Sequence, residues 1–447
     1  DAGGFDISST PGGEKDSDLN TTYTLTGRYY ATDTLTFGGT LRHTDREADQ
    51  DAFVFGALNS AGLVVDDLSR GFLTETFGSV FAEMSAFGGR LENRVELSFG
   101  NIERRGHDGL GNANADNTAT RAKASYRGSL ALDAQTLDAA NHVLTFGAEW
   151  EQETYKGNQA FFGPGELVKR SRDQSALVME YQGSFGNGFD VQGSLRHDFN
   201  DKFQDATTYA LGASYAFATG TRVHASYGTG FQNPTLIEQF GFFANFTGNP
   251  NLQPEESEGW DIGIEQQILG GRGVIDVTYF DEELTNEITS VFNPVTGVST
   301  PVNQPGKSDR KGVEVAADVA LTDRLDLWLS YTWLDADDPN GTVEVRRPEN
   351  EALLRLDYLM PNDRTSFNLE VQHVEGLYDF DFTFPSFGTT KIKLKDYTLV
   401  NLGMSHKITD NTRLNAGIRN LTDERYQELD GYAGPGRTVF VGVSGTF

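Results

Sequence analysis

The chain has 447 residues, a net charge of −29, 50 glycines, 31 phenylalanines, 16 tyrosines and no cysteine. That charge argues against nucleic acid and against an anionic surface as partners, and no run of about 18 apolar residues is present to cross a membrane as a helix. A mean hydropathy of −0.44 does not exclude a membrane, because barrel strands alternate apolar and polar residues and give a weak hydropathy signal.

The opening DAGGFDISST reads neither as a signal peptide nor as a strand. Alternating segments then predict strands at 19–31, 33–44, 68–86, 89–103, 118–133, 141–155, 170–185, 189–199, 207–217 and 221–229. After a long interruption come 257–269, 273–291, 306–321, 325–334, 347–360, 364–376, 391–407, 412–420 and 437–447. The interruption, 230–256, contains Asn233-Pro234, Gly248-Asn249-Pro250 and Gln253-Pro254, whose prolines remove donors and force turns, so no strand runs through it.

The connections alternate strictly. Tight ones such as 31–33, 87–89, 186–188 and 270–272 are interleaved with long ones at 45–67, 104–117, 156–169, 200–206, 230–256, 292–305, 335–346, 377–390 and 421–436. Short turns on one side and long loops on the other are the pattern of a transmembrane antiparallel β-barrel. The faces agree: Leu91, Val95, Leu97 and Phe99 alternate with Glu92, Arg94, Glu96 and Ser98, which places charges of both signs on one side. The expected fold is therefore all-β, a barrel with about 19 strands present. No HExxH, CxxC, phosphate loop or nucleophile elbow occurs, so no enzymatic activity and no redox cofactor are expected. His197 and His224 each stand alone and read as satisfied polar residues.

Two acidic segments lie one hairpin apart. Asp6, Asp16 and Asp18 fall in residues 1–18, and Asp45, Asp49, Asp51, Asp66 and Asp67 in 45–67. Both emerge on the long-loop side, where flexible carboxylates could supply the six to eight oxygens calcium takes; solvated acidic loops are the plainer reading. Phe161, Phe162, Phe240, Phe242, Phe243, Phe246, Tyr378 and Phe380 place aromatic rings in long loops, where a bulky ligand could stack or where the loops pack on themselves.

The phrases YGTGFQNPTLIEQFG (227–241), GNPNLQPEESEGWDIGIEQ (248–266), SDRKGVEVAADV (308–319) and NLTDERYQELDGYAGPGRTVFVGVSGTF (420–447) occur in that order. Together they resemble the barrel of TonB-dependent outer-membrane receptors, over nearly the whole chain. GFFANFTGNPNL and the opening GGFDIS resemble most the family members that carry cobalamin. The resemblance implies an integral protein of a Gram-negative outer membrane, acting as a monomer amid lipid and lipopolysaccharide. It implies uptake of a bulky small molecule such as cobalamin or a siderophore, energised by TonB through an N-terminal plug. Barrels of this family have about 22 strands, so residues 1–447 are expected to be the C-terminal part, lacking the plug and the first three strands. In the cobalamin carriers, aspartates of two neighbouring loops bind calcium that orders them for substrate, and by position the matches are Asp6, Asp16, Asp18, Asp51 and Asp66. Two other classes remain open at this stage: a passive, porin-like or structural barrel, and a secreted β-rich binding protein.

Overall fold

The computed structural model describes residues 5–8, 13, 15–157, 167–243, 246–293 and 295–446. One antiparallel sheet of nineteen strands dominates it. In chain order these are β1 (Asp18–Thr32), β2 (Leu35–Phe53), β3 (Val64–Ala86), β4 (Leu91–His107), β5 (Ala113–Ala131), β6 (His142–Gly157), β7 (Val168–Ser184), β8 (Phe189–Asn200), β9 (Ala206–Ala216) and β10 (Thr221–Gln232). They continue as β11 (Glu255–Ile268), β12 (Gly273–Thr285), β13 (Lys307–Thr322), β14 (Leu325–Asp337), β15 (Asn350–Leu359), β16 (Thr365–Glu375), β17 (Tyr397–Thr409), β18 (Thr412–Arg419) and β19 (Thr438–Gly445). Among the described residues, each strand pairs with its neighbours in sequence and there is no crossover. Among the described residues, β1 pairs only with β2 and β19 only with β18.

The tight turns depend on backbone freedom. At Gly188, φ is +88°, and a Cβ there would collide with the Ala216 carbonyl. Every strand expected from alternation is present, with three corrections. Residues 45–67 are not a loop: β2 runs on to Phe53 and β3 starts at Val64, which leaves only 54–63 between them. The extension carries polar residues on both faces, because it stands in water above the membrane. Its hydrogen-bond ladder and cross-strand pairs such as Arg70–Glu47 (2.8 Å) hold it. The segment 273–291 is broken at Asn286 (φ +59°), so that 288–293 leaves the wall as a hairpin with 298–303. Residues 391–393 pair with 378–380 above the wall, and β17 begins only at Tyr397.

Alternation assigns the two faces. Leu97 (54% exposed), Leu177 (55%), Leu211 (58%) and Ile264 (54%) point outward, where acyl chains cover them. Facing inward are Arg94 with Glu83 and Glu96, Lys123 and Arg196 with Glu149, and Arg222 with Glu265. Two aromatic rings bound the apolar band. Tyr209 and Tyr227 (5.8 Å) with Trp260 and Tyr279 (5.4 Å) mark the long-loop side, and Phe185 and Phe189 (5.6 Å) with Tyr215 and Phe217 (4.7 Å) the short-turn side. Tyr209 and Tyr215 are separated by ~20 Å of strand at about 3.3 Å per residue, close to the apolar height of such walls. On β2 the outward apolar residues end at Leu41, so Asp51 lies ~30 Å further along the strand, well above the lipid.

Candidate functional site at the mouth

The top of β2 carries a register shift between Gln50 and Ala52, where Asp51 alone faces the stretch Asp66–Leu68 of β3. That irregularity turns Asp51 toward the segment preceding β1. There Asp16 donates its backbone N–H to Phe5 O (3.2 Å), Ile7 N–H donates to Asp16 Oδ2 (3.0 Å), and Ser8 N–H donates to Asp6 Oδ1 (2.8 Å). The fold of this segment brings carboxylate oxygens of Asp6, Asp51 and Asp66 within 4.8 Å of one another. Asp16 Oδ1 and both oxygens of Asp51 are shielded from solvent and, among the described residues, have no hydrogen-bond partner. Buried acceptors without donors are costly. Burial first, and then the charge of Asp16, push the Asp51 carboxyl up to about 6, with Asp66 and Asp6 adding to the effect.

Of the five aspartates expected to act together, the structure gathers Asp6, Asp51 and Asp66, sets Asp16 beside Asp51 and excludes Asp18. Asp18 is the first residue of β1, and Arg46 holds it from Nη2 (2.6 Å) and Nε (2.9 Å), which keeps its carboxyl below the usual range. Asp49 is likewise engaged, by Ser17 N–H (3.0 Å) and Arg70 (3.3 Å). Two participants were missed in the sequence. Gly13 closes against the cluster so tightly that a Cβ would sit 2.5 Å from oxygens of Asp6 and of Asp66. The loop before β19 pins the same segment, with Ala433 N–H donating to Ile7 O (3.0 Å) and Ser8 bridging to Tyr432. Glycine in an unassigned N-terminal stretch gives no signal, and the other contact is long-range.

Around this cluster the long loops are wired to one another. The 233–254 excursion starts with a helical turn, Leu236–Phe240, whose cap Thr235 and Glu238 bond reciprocally. Asn249 donates to Pro301 O (3.0 Å), and Asn303 binds Gln253 through both its N–H (2.8 Å) and its carbonyl (2.9 Å). Asn233 donates to Asn200 Oδ1 (2.9 Å). The asparagines of this loop thus hold its shape.

Phe242 pairs with Thr247 and Phe246 with Ser299 as part of a small sheet, and both rings are half-buried. Phe240 lies under the Arg170 guanidinium (5.3 Å), at one wall of a rim pocket of about 500 Å³ that also carries Lys202, Phe203, Leu236 and Leu252. Phe161 and Phe162 and the side chain of Phe243 lie outside the described residues.

Tyr378 and Phe380 sit in the ribbon 378–380/391–393, and Phe380 packs on Phe382 (6.2 Å). Phe382 in turn meets Phe53 (5.6 Å) and Phe55 (5.8 Å), and Phe55 meets Phe292 (4.2 Å) and Phe387 (5.7 Å). This run is therefore a hydrophobic knot joining three loops, more than a row of free rings. Below it, Asp379 (1% exposed) accepts from Arg346 Nε (2.9 Å) and from Asp430 N–H (2.8 Å). Burial, with Asp379 and Asp381 nearby, raises the Asp430 carboxyl.

Residues 2–421 match the family described as TonB dependent receptor-like, beta-barrel. The chain belongs to the TonB-dependent receptor family. Its wall is accordingly an integral outer-membrane β-barrel, in a family of receptors and transporters. Over 311 residues it is 30% identical to the vitamin B12 transporter BtuB of Vibrio cholerae, covering 69% of this chain and 47% of that protein. It spans about half the length of the curated relatives it matches. Among solved structures, the ferric enterobactin receptor PfeA of Pseudomonas aeruginosa superposes with a TM-score of 0.77 at 19% identity, covering 98% of this chain and 71% of that one. The ferric-catecholate import receptor Fiu of E. coli K12 gives 0.76 at 14% identity, covering 98% and 76%. At such identities the structures establish the fold.

Proposed function

We propose that this chain forms the wall and mouth of a transporter that takes up a scarce, bulky nutrient across the outer membrane, and that the nutrient is cobalamin. The observation that carries the reading is the acidic site beside the mouth: Asp6, Asp51 and Asp66 have carboxylate oxygens within 4.8 Å of one another, Asp16 lies beside Asp51, and three shielded oxygens lack a donor among the described residues. Such a donor set fits calcium, which takes carboxylate oxygens in flexible geometry. Asp6, Asp16, Asp51 and Asp66 would hold the ion, and Gly13 leaves the room. When bound, calcium supplies the positive charge that cancels their mutual repulsion. The chain's own part is mechanical. Asp6 and Asp16 anchor the segment before β1, Asp51 and Asp66 anchor the tops of β2 and β3, and their junction orders one rim of the mouth. The likeness to vitamin B12 transporters supports cobalamin as the substrate. In the whole receptor, substrate would settle on the ordered loops and on a plug that TonB pulls.

A second reading, an anionic siderophore, is favoured by the rim pocket, where Arg170 and Lys202 stand beside Phe240 and Phe203 in a strongly acidic chain. Deleting the gene from a strain that depends on imported cobalamin separates the two. Loss of growth on limiting cobalamin supports the first reading, and normal growth with loss of ferric siderophore uptake supports the second.

A further inference from the structure

Below the aromatic knot, the segments 54–63, 338–349, 377–390 and 421–436 converge on two buried carboxyls that the acidic site does not use. Asp379 is 1% exposed and Asp430, in the loop before β19, 4%. Asp379 is fully engaged as an anion: Oδ1 accepts from Arg346 Nε (2.9 Å) and Phe380 N–H (2.8 Å), and Oδ2 accepts from Asp430 N–H (2.8 Å). Asp430 is less well served. Ser60 donates to its Oδ2 across 3.4 Å, and among the described residues Asp430 forms no ion pair.

The charges around Asp430 are already engaged elsewhere. From 377–396 come Asp381, whose Oδ1 accepts from Thr383 N–H (2.9 Å), and Lys391, which is held by Asp338 (2.7 Å). From 338–349 come Arg346, bound to Asp379, and Arg347, bound to Glu344 (3.0 Å). The 54–63 loop brings no ionisable side chain. In Asp430's own loop, burial and then the Asp51 charge raise the Tyr432 phenol, which Arg346 opposes. Among the described residues, one guanidinium therefore stands among the carboxyls of Asp379, Asp381 and Asp430, and the second buried carboxyl has no countercharge of its own.

We propose that this junction is a pH-sensitive latch on the mouth: with a proton on Asp430 it holds the four segments together, and ionisation of Asp430 loosens it. A protonated carboxyl needs no countercharge and can donate to Ser60, whereas the anion would sit beside Asp379 and Asp381, shielded from solvent. Burial, with Asp379 and Asp381 adding to it and the Ser60 bond opposing it, raises the Asp430 carboxyl from its ordinary value. With a raised folded-state value, the stability that the proton contributes is fully present below the ordinary carboxylate value and is lost as pH rises through the raised one. The latch is thus tightest in an acidic medium. Gly56 N–H to Phe382 O (2.8 Å), Phe384 N–H to Ala57 O (2.7 Å) and Arg346 N–H to Tyr378 O (2.7 Å) cross between the same segments, so loosening the junction loosens the mouth. The device does not depend on which nutrient is carried.

The test is hydrogen exchange of the whole receptor in detergent and chelator, without nutrient, between about pH 5 and pH 8, with each rate corrected for its intrinsic pH dependence. In wild type, protection of the Asp430, Gly56 and Phe384 amides is expected to fall severalfold as pH rises. In Asp430→Asn, which keeps the shape and cannot ionise, protection is expected to stay level. Asp381→Asn, which removes one neighbouring charge while its oxygen still accepts from Thr383, is expected to show a smaller fall, and it carries the test if the first variant does not fold. Asp51→Asn is expected to keep the wild-type fall at these amides, which separates the latch from the acidic site. Level protection in wild type, an undiminished fall in folded Asp430→Asn or Asp381→Asn, or loss of the fall in Asp51→Asn overturns the proposal.

Discussion

Replacing Asp51 by Asn probes the acidic site with a sign that can be worked out in advance. The Asp51 carboxyl is raised from 3.8 to about 6 by burial and by the surrounding carboxylates. For an acid with a raised folded-state value, the native state binds more protons than the unfolded state between about pH 4 and pH 6, so local stability falls as pH rises through that window. The penalty is fully present above about pH 6 and relieved below about pH 4. Two units correspond to about 3 kcal/mol, and solvent screening of a half-buried group reduces this to ~1–2 kcal/mol. In chelator at pH 7.5, Asp51→Asn should therefore slow hydrogen exchange at the Asp16 and Ala433 amides, which tie the segment down, by roughly 5- to 30-fold. At pH 4 variant and wild type should converge. With calcium present at pH 7.5 the order should reverse, because the variant has lost a charged ligand. Equal exchange in variant and wild type at pH 7.5 in chelator would refute the reasoning.

Calcium affinity of the wild type should drop as pH falls below about 6, since protons compete for Asp51; a titration at pH 7.5, 6 and 5 checks this. Gly13→Ala places a methyl 2.5 Å from Asp6 and Asp66 oxygens and should weaken calcium binding by calorimetry while heat-modifiable migration of the barrel stays normal. Phe55→Ala removes the ring shared by Phe292, Phe382 and Phe387 and should cost about 3 kcal/mol of loop packing, read as faster proteolysis within 377–396. Thr235→Ala removes a cap bonded to Glu238 and should cost about 1 kcal/mol, read as faster exchange at the amides of 236–241.

The wall was legible because lipid on one side and water on the other impose a two-residue period that no loop contact can override. All nineteen strands follow from it. The tops of β2 and β3 were not legible, since above the membrane both faces are wet and alternation carries no signal. For the acidic segments, local charge density marked the neighbourhood in which the structure brings Asp6, Asp51 and Asp66 together with Asp16 beside Asp51. Nothing in the sequence says that Asp18 is taken by Arg46, because that choice depends on cross-strand register. Gly13 and the Ala433 contact are products of three-dimensional closure. The aromatic run beginning at Tyr378 shows the same limit: composition cannot distinguish rings that wait for a ligand from rings knotted to Phe55 and Phe292.

The most direct measurement is a calorimetric titration of the purified whole receptor with cyanocobalamin, once with millimolar calcium and once with chelator. Saturable binding in calcium that weakens markedly in chelator is the predicted result. No heat of binding with calcium present, in a receptor that does bind a ferric siderophore, would contradict the account.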